Sequence, residues 1–370
     1  MSATHPDIDY ANKAILAPMV RIGTLPMRLV ALDYGADLVW SEELVDKRII
    51  GSVRQINHAT GTIDYYKGKS LTFSTCDAEK GKVILQLGTA DADLALQAAL
   101  TLKQDVAAID VNCGCPKKFS IQGGMGAALL SNPDNLQKIL TKLVQHSGMP
   151  VTCKIRLLET KEKTLDLVRM IVSTGVKALT VHCRTKEQRS TEKANWDALK
   201  DIVQLVKSVS DIPVVVNGDV FQYSDIEKAK SLTGADSVMI ARGAQWNPSA
   251  FRKEGLLPFD TVVQAYIKKA VDLDNLFQNT KYVLLSMNTE DTKHTRSDLY
   301  TKIQRSKSMH TICELFDLVD YYENAVAQQK ARLEEAEKIQ SAENGKRERG
   351  AEDEASQKDQ EHVEKKTKTE

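Results

Sequence analysis

The chain has 370 residues, of which 42% are hydrophobic and 27% charged, and its 50 basic and 50 acidic side chains give a net charge of zero. These values exclude a fibrous or wholly disordered protein, and no apolar run approaches the length of a transmembrane helix. The N-terminal segment lacks the features of a secretory signal or transit peptide, which predicts a cytoplasmic location, with a nuclear one also open, and no membrane partner.

Eight short apolar runs bounded by turn signals predict strands. Most are rich in Val, Ile and Leu without strict alternation, which is typical of parallel strands covered on both faces. The runs are Ala14 to Met19, Asp37 to Trp40, Val83 to Leu87, Val106 to Val111, Val151 to Ile155, Ala178 to His182, Ile212 to Asn217, and Ser237 to Ala241.

Segments with helical spacing separate these strands, for example Asp91 to Gln104, Asn135 to Ser147, Thr164 to Thr174 and Trp196 to Ser208. Strand and helix alternate eight times by about residue 245, which predicts an α/β protein with a (β/α)₈ TIM barrel. A doubly wound open sheet is the alternative. It is disfavoured because Val20-Arg21-Ile22-Gly23 follows the first strand, where that fold carries a glycine fingerprint.

The pattern changes after the barrel to helices without intervening strands. We predict a barrel domain over residues 1–257, a small all-helical domain over 258–338 and a disordered charged tail over 339–370. The tail is nearly free of apolar residues, so it cannot bury enough surface to fold alone. Its KRER and KKTK stretches are compatible with a nuclear-import signal or with a solvated spacer.

A polar or reactive residue closes nearly every predicted strand. Because the carboxyl ends of barrel strands form the reactive face, these residues predict one site. The strand ends carry Ala17, Pro18 and Met19; Glu42 and Glu43; Gln86; Asn112, Cys113 and Cys115; Lys154 and Arg156; His182 and Arg184; Asn217, Gly218 and Asp219; and Ala241, Arg242 and Gly243.

The last two strand ends indicate a phosphorylated ligand. Barrels often bind phosphate with the loops after strands seven and eight, although glycines there can also merely form turns. Lys154, emerging from an apolar strand, could hold an anion, form a Schiff base or pair with a carboxylate. His182 could be structural or could serve the same site.

The motif Cys113-Gly114-Cys115-Pro116 follows the fourth strand. Structural zinc sites need a second ligand pair, which this motif lacks, and a disulfide across one residue would be strained. Cys113 continues the strand, so burial explains it. Cys115 lies in the loop over the barrel mouth, and we predict a chemical role for its thiol.

The motifs in chain order carry a family resemblance. APMV, QLG, DVNCGCPKKFSIQGGMGAALL, TCKIR, VHCRT, VVNGDV and MIARGA together resemble the tRNA-dihydrouridine synthases over the whole barrel. The intact NCGCPKK and the later NTKY most resemble the eukaryotic type that modifies uridine 20 of the tRNA D-loop. The resemblance implies a flavin enzyme acting on tRNA with NADPH or NADH as transient reductant, and we expect a monomer.

The resemblance also implies roles for individual residues. FMN would supply hydride to C6 of a flipped-out uridine, and Cys115 would donate the proton to C5 from the opposite face. The implied FMN-binding residues are Ala17, Pro18, Met19, Gln86, Lys154, His182, Asn217, Gly218, Asp219, Ala241 and Arg242, and the implied substrate residues of the barrel are Asn112, Lys117, Lys118 and Arg184.

A basic stretch in the predicted helical domain supports an RNA partner. Between residues 292 and 308, five basic side chains stand against one acidic side chain, and we predict that Arg296, Lys302 and Arg305 contact tRNA phosphates. A flavin dehydrogenase of a free pyrimidine, of the dihydroorotate or dihydropyrimidine type, is the enzymatic alternative; it would need no such surface. A non-catalytic tRNA-binding protein is the other alternative, disfavoured by Cys115 and Lys154.

Overall fold

A computed structural model describes residues 8–287, 293–339 and 341 of the chain. Eight parallel strands form a closed barrel, in which the last strand pairs with the first. They are Ala14–Leu16, Leu38–Trp40, Val83–Gly88, Ala108–Cys113, Val151–Arg156, Ala178–His182, Val214–Asn217 and Ser237–Ile240. The predicted TIM barrel is confirmed, and each strand overlaps the apolar run that predicted it.

Helices surround the barrel. Those that connect its strands include Leu25–Asp33, Ala92–Leu102, Pro133–His146, Lys161–Ser173, Trp196–Val209 and Tyr223–Thr233. Two begin at asparagine N-caps: the Asn132 side chain accepts a hydrogen bond from the Asn135 amide at 3.3 Å, and Asn195 accepts one from Ala198 at 3.0 Å. Such caps stabilise a helix by about 1 kcal/mol. The helix predicted to begin at Asn135 therefore begins at Pro133.

The barrel interior has an apolar floor beneath a polar upper layer. Alternate strand residues point inward, so one strand can contribute to both layers. The floor contains Ile15, Leu38, Ile84, Ala108, Ala178, Val215 and Met239. Two or four residues further along several of the same strands come Gln86, Asp110, Asn112, Thr180, His182 and Asn217. The polar layer thus lies at the carboxyl ends, where a barrel carries its site.

An antiparallel sheet, absent from the sequence prediction, lies between the second and third barrel strands. Its strands are Val53–Asn57, Thr62–Lys67 and Ser70–Thr75. A buried ion pair connects it to the barrel helices, because Arg28 lies 2.6 Å from Glu79 and also donates to the Ser74 carbonyl at 2.7 Å. The short strand Leu44–Val45 leads into this insertion and pairs with the third barrel strand.

The residues after the barrel form helices, as predicted. They are Phe259–Asp272, Phe277–Ser286, Asp298–Arg305, Met309–Leu315 and a helix over 319–339. Their buried side chains, such as Tyr266 and Leu284, belong to the same core cluster as the outer face of the barrel. The domain boundary at residue 258 stays a prediction, and almost all of the predicted tail, including KRER and KKTK, lies outside the described residues.

None of the helices in the described part of the chain is both long and apolar enough to cross a membrane.

Candidate active site

A cavity of about 460 Å³ opens at the carboxyl ends of the barrel strands. Each of the eight strands contributes to its wall, either with its last residues or with the segment that follows it. The structure brings together in this wall the following residues predicted for the site: Ala17, Pro18, Met19, Gln86, Asn112, Cys115, Lys117, Lys154, His182, Asn217 and Ala241.

Strand register explains why residues far apart in sequence meet here. Asn112 pairs in register with Lys154, and His182 pairs with Asn217. In adjacent parallel strands, residues in register point to the same side of the sheet. Each pair therefore projects into the barrel at the same height.

A buried carboxyl group underlies the cavity and was not predicted. Asp110 accepts hydrogen bonds from Gln86 Nε2 at 2.8 Å and Thr152 Oγ1 at 2.7 Å. Burial raises the pKa of Asp110 to about 6. Its signal in the sequence was available: an acidic residue within the apolar run AIDVNC, two residues before Asn112.

Lys154 lies on the cavity wall near Asp110. Burial, followed by repulsion from Arg156, lowers the pKa of the Lys154 ammonium group to about 8, while the Asp110 charge opposes that shift. The lysine is therefore mostly protonated at pH 7 and presents a positive charge to the cavity. Of the three roles considered for it, holding an anion suits this charge directly.

His182 is a neutral ring in a cationic environment. Burial and the neighbouring charges of Lys154, Arg156, Arg184 and Arg242 lower the pKa of its imidazole. Its Nε2 lies 3.2 Å from Arg184 Nη1. Because a guanidinium can only donate, Nε2 accepts this hydrogen bond and Nδ1 carries the ring proton.

Two side chains fix the loop that carries Cys115. Asn112 Oδ1 accepts hydrogen bonds from the backbone amides of Gly114 at 2.9 Å and Cys115 at 3.1 Å. Arg156 donates to the Gly114 carbonyl at 2.7 Å and to the Thr185 carbonyl at 2.8 Å. Side chains of the fourth and fifth strands therefore hold Cys115 in position. Asn112 thus fixes the loop in addition to the substrate role predicted for it.

The two cysteines of the motif have different environments. Cys113 is fully buried, and its sulfur lies 3.5 Å from that of Cys153 on the adjacent strand. Cys115 is only partly buried and lines the cavity, and neither forms a disulfide. Burial and then the nearby Glu43 charge raise the pKa of the Cys115 thiol, so it carries its proton at neutral pH.

The residues predicted to bind phosphate form a cluster beside the cavity. Asp219 accepts hydrogen bonds from Arg184 at 2.5 Å and Arg242 at 2.6 Å. Gly218 has φ +120°, and a Cβ atom there would come within 3.0 Å of Ala194. Arg184 is only 2% exposed. The hydrogen bond from Arg184 to Asp219 fixes the loop after the seventh strand. The predicted contact of Arg184 with substrate stays a prediction, and the burial of its side chain does not favour it.

The cavity rim contains exposed side chains that suit a large substrate. Lys117 and Lys118 are exposed at the start of the helix Lys118–Gln122, and Phe119 beside them is 49% exposed. On another side of the rim, the Arg21 guanidinium lies 3.9 Å from the centre of the Tyr282 ring. No site role was predicted for Phe119, Arg21 or Tyr282, although Phe119 lies in the CGCPKKFS segment and Tyr282 is the tyrosine of NTKY.

Arg21 has a left-handed backbone, with φ 66°, which is unfavourable for a residue other than glycine. Two hydrogen bonds hold it: its amide donates to Glu42 Oε2, and its carbonyl accepts from Asn279 Nδ2, each at 2.7 Å. The first barrel loop is thereby attached to the C-terminal helices at the cavity rim.

The three basic residues predicted to contact tRNA phosphates do not line the cavity. Arg296, Lys302 and Arg305 are exposed, on a short 3₁₀ turn and on the helix Asp298–Arg305. This helix packs against the one that carries Tyr282, where Lys281 donates to the Ser306 carbonyl at 2.9 Å. The basic helix is thus one element away from the cavity rim.

Comparison with known proteins identifies relatives. The dihydrouridine synthase (Dus) family model matches residues 15–344. The tRNA-dihydrouridine(20) synthase [NAD(P)+] of Schizosaccharomyces pombe is 48% identical over 75% of this chain and 60% of its own length. The Saccharomyces cerevisiae protein of the same name is 41% identical over 75% of this chain and 77% of its own. This chain therefore matches less than two thirds of the S. pombe protein.

Among solved structures, a 2-naphthoyl-CoA reductase complex aligns with a TM-score of 0.47 and 11% identity, over 67% of this chain and 51% of that one. A similarity of this size supports no functional argument.

Proposed function

The chain belongs to the dihydrouridine synthase family, and from this premise we propose that it reduces the C5–C6 double bond of uridine 20 in tRNA, with NADPH or NADH as reductant. The observation that carries the proposal is the thiol of Cys115 on the wall of a cavity that also contains the partly buried amine of Lys154. Reduction of an activated double bond needs both a proton donor and a site for an electron carrier.

The residues of the cavity fit FMN. Its volume of about 460 Å³ lies within the range of cofactor sites, and the small side chains of Ala17 and Pro18 line it, where a ring system could pack. The chemistry that FMN would supply here is transfer of a hydride to C6 of the uracil. Lys154 would stabilise negative charge on the cofactor ring, and the loops at Gly218 and Arg242 would bind its phosphate.

Cys115 would donate the proton that completes the reduction. A general acid must carry its proton at the working pH, and the raised pKa of this thiol meets that requirement. Asn112 and Arg156 would keep the sulfur at a fixed height over the cavity through the loop they bind. The uridine would have to leave its stack to reach the thiol, which costs less in a loop than in a duplex.

The rim and the basic helix would bind the RNA around the target. Lys117 and Lys118 would approach phosphates near the flipped nucleotide, and Arg296, Lys302 and Arg305 would contact a more distant part of the tRNA. Such contacts give an affinity that falls with salt.

The test uses the full chain loaded with FMN, NADPH and tRNA transcribed without modifications. We expect two hydrogens to be added at uridine 20, detected by mass spectrometry of nuclease fragments, with no turnover of free uracil or orotate. Reduction of a free pyrimidine without reduction of tRNA would instead favour a small-molecule dehydrogenase. Binding of tRNA without reduction by a flavin-loaded, NADPH-reducible protein would favour a non-catalytic role.

A further inference from the structure

Glu43 is a buried carboxyl group in the active site to which the proposed chemistry gives no role. It follows the second barrel strand, lines the cavity and is 9% exposed. Its Oε1 accepts a hydrogen bond from Ser120 Oγ at 3.3 Å, and the side chains of Cys115 and Asn112 also interact with its carboxylate. A buried carboxyl group is costly, so its retention calls for a functional reason.

The backbone makes room for this carboxyl beside the thiol. A Cβ atom on Gly88 would lie 2.7 Å from Glu43 Oε1. Gly126 has φ +58°, and a Cβ atom there would overlap the Ser120 hydroxyl and lie 3.0 Å from Cys115 Cβ. Two glycines from different segments thus allow the carboxyl, the hydroxyl and the thiol to pack together.

The electrostatics of the two groups are linked. The charged groups that act on the Cys115 thiol are Glu43, from the loop after the second strand, and Lys154 and Arg156, from the fifth strand. Glu43 disfavours the thiolate and the two cations favour it. Burial raises the pKa of the Glu43 carboxyl itself, while hydrogen bonding with Cys115, Ser120 and Asn112 opposes that shift.

We propose that Glu43 is a positioning residue whose carboxylate keeps Cys115 protonated between turnovers. The proposal rests on the proposed function. In the step, the S–H bond of Cys115 breaks as the C5–H bond of the uracil forms, which leaves a thiolate. An O–H bond of solvent water then breaks as a new S–H bond forms, and the Glu43 carboxylate favours this reprotonation because it disfavours the thiolate.

The test is the pH dependence of alkylation at Cys115 in the full chain, which needs neither cofactor nor tRNA. Iodoacetamide labelling is followed by mass spectrometry of the peptide that contains Cys115, so that Cys76, the other partly exposed thiol, does not interfere. In Glu43→Gln we expect the labelling midpoint to move to lower pH, because the neutral amide no longer disfavours the thiolate. Below both midpoints, labelling should be about threefold faster for each pH unit of that shift.

Glu42→Gln is the matched control. The Glu42 carboxylate accepts a hydrogen bond from the Arg21 amide, so its removal should leave the labelling midpoint of Cys115 unchanged. An unchanged midpoint in a folded Glu43→Gln protein, or a move to higher pH, would overturn the proposal. If Glu43→Gln does not fold, Glu43→Asp withdraws the carboxylate from the thiol and should move the midpoint in the same direction; no movement would overturn the proposal equally.

The same variants separate this proposal from the proposed function. With reduced FMN and tRNA, the activity of both proteins should fall at alkaline pH. The fall should begin at a lower pH in Glu43→Gln than in the native protein. A protein that never reduces tRNA, yet shows the shift in Cys115 labelling, would leave the role of Glu43 standing and remove the synthase activity.

Discussion

At the scale of single residues, Lys154 carries the charge on which the proposed FMN binding would depend. Its folded-state pKa of about 8 is below the usual value of a lysine, so the unfolded chain binds more protons between pH 8 and 10.5, and stability contributed by this group rises with pH across that window. The positive charge of Lys154 in the cavity has the opposite pH dependence to this stability contribution, because the charge is present below about pH 8 and is lost above it.

We therefore expect FMN affinity to be constant from pH 6.5 to 7.5 and to fall as the pH rises through about 8, measured by quenching of flavin fluorescence. Lys154→Met should bind FMN about tenfold or more weakly at pH 7 and show no such fall. Lys154→Arg keeps the charge and should retain affinity at pH 9. A native protein whose affinity does not change across pH 8 would contradict this role.

At the scale of elements, the Cys115 loop is fixed by one side chain from each of two strands. Arg156 reaches from the fifth strand to the Gly114 carbonyl and to Thr185. Hydrogen bonds from a charged donor contribute about 1.5–3 kcal/mol each when buried.

Arg156→Met should accelerate hydrogen exchange at the amides of residues 114–117 and lower the rate of dihydrouridine formation by about tenfold to a hundredfold, since a loop misplaced by about 1 Å can cost that much. Arg169→Met is the control, because Arg169 pairs with Asp166 on an exposed helix face. Equal exchange in both variants would mean that Arg156 does not hold the loop.

The sequence predicted the barrel strands but not the antiparallel sheet inserted between the second and third of them. The eight barrel strands were predictable because strands buried on both faces have continuous apolar runs. The insertion over Val53–Thr75 was missed because its sheet is half exposed and rich in polar residues such as Asp64 and Lys67. Strand ends predicted most of the cavity wall, since a barrel brings them to one face.

The remaining site residues depend on tertiary contacts that no local pattern encodes. Glu43 was noted only as a strand end, and its nearness to Cys115 depends on the close approaches at Gly88 and Gly126. Tyr282 reaches the rim because the C-terminal helices pack against the first barrel loop. Asp110 differs, because its position in an apolar strand was a signal that sequence reasoning could have used.

At the scale of the whole molecule, a net charge of zero conceals a basic helix one element away from the cavity rim. A surface that contacts phosphates releases counterions, so each cation removed lowers the salt dependence of binding. The position of this helix predicts that it acts on tRNA affinity and not on the chemical step.

Replacing Arg296, Lys302 and Arg305 together with alanine should weaken tRNA binding and lower the slope of log Kd against log salt by about two to three, measured by filter binding. The rate at saturating tRNA should stay close to native. A triple alanine variant at Lys163, Arg169 and Lys200, which are exposed on barrel helices, removes the same charge elsewhere and should change neither quantity much. Equal effects of the two triple variants would contradict a specific RNA surface.

The central claim is that Cys115 is the acid of a tRNA reduction, and a single-turnover comparison tests it most directly. The native protein and Cys115→Ala are loaded with FMN, reduced anaerobically with NADPH and mixed with unmodified tRNA. We expect addition of two hydrogens at uridine 20 by the native protein, and a rate at least about a hundredfold lower in the variant, with flavin content and flavin reduction unchanged. Reduction of tRNA by Cys115→Ala at the native rate would contradict the claim.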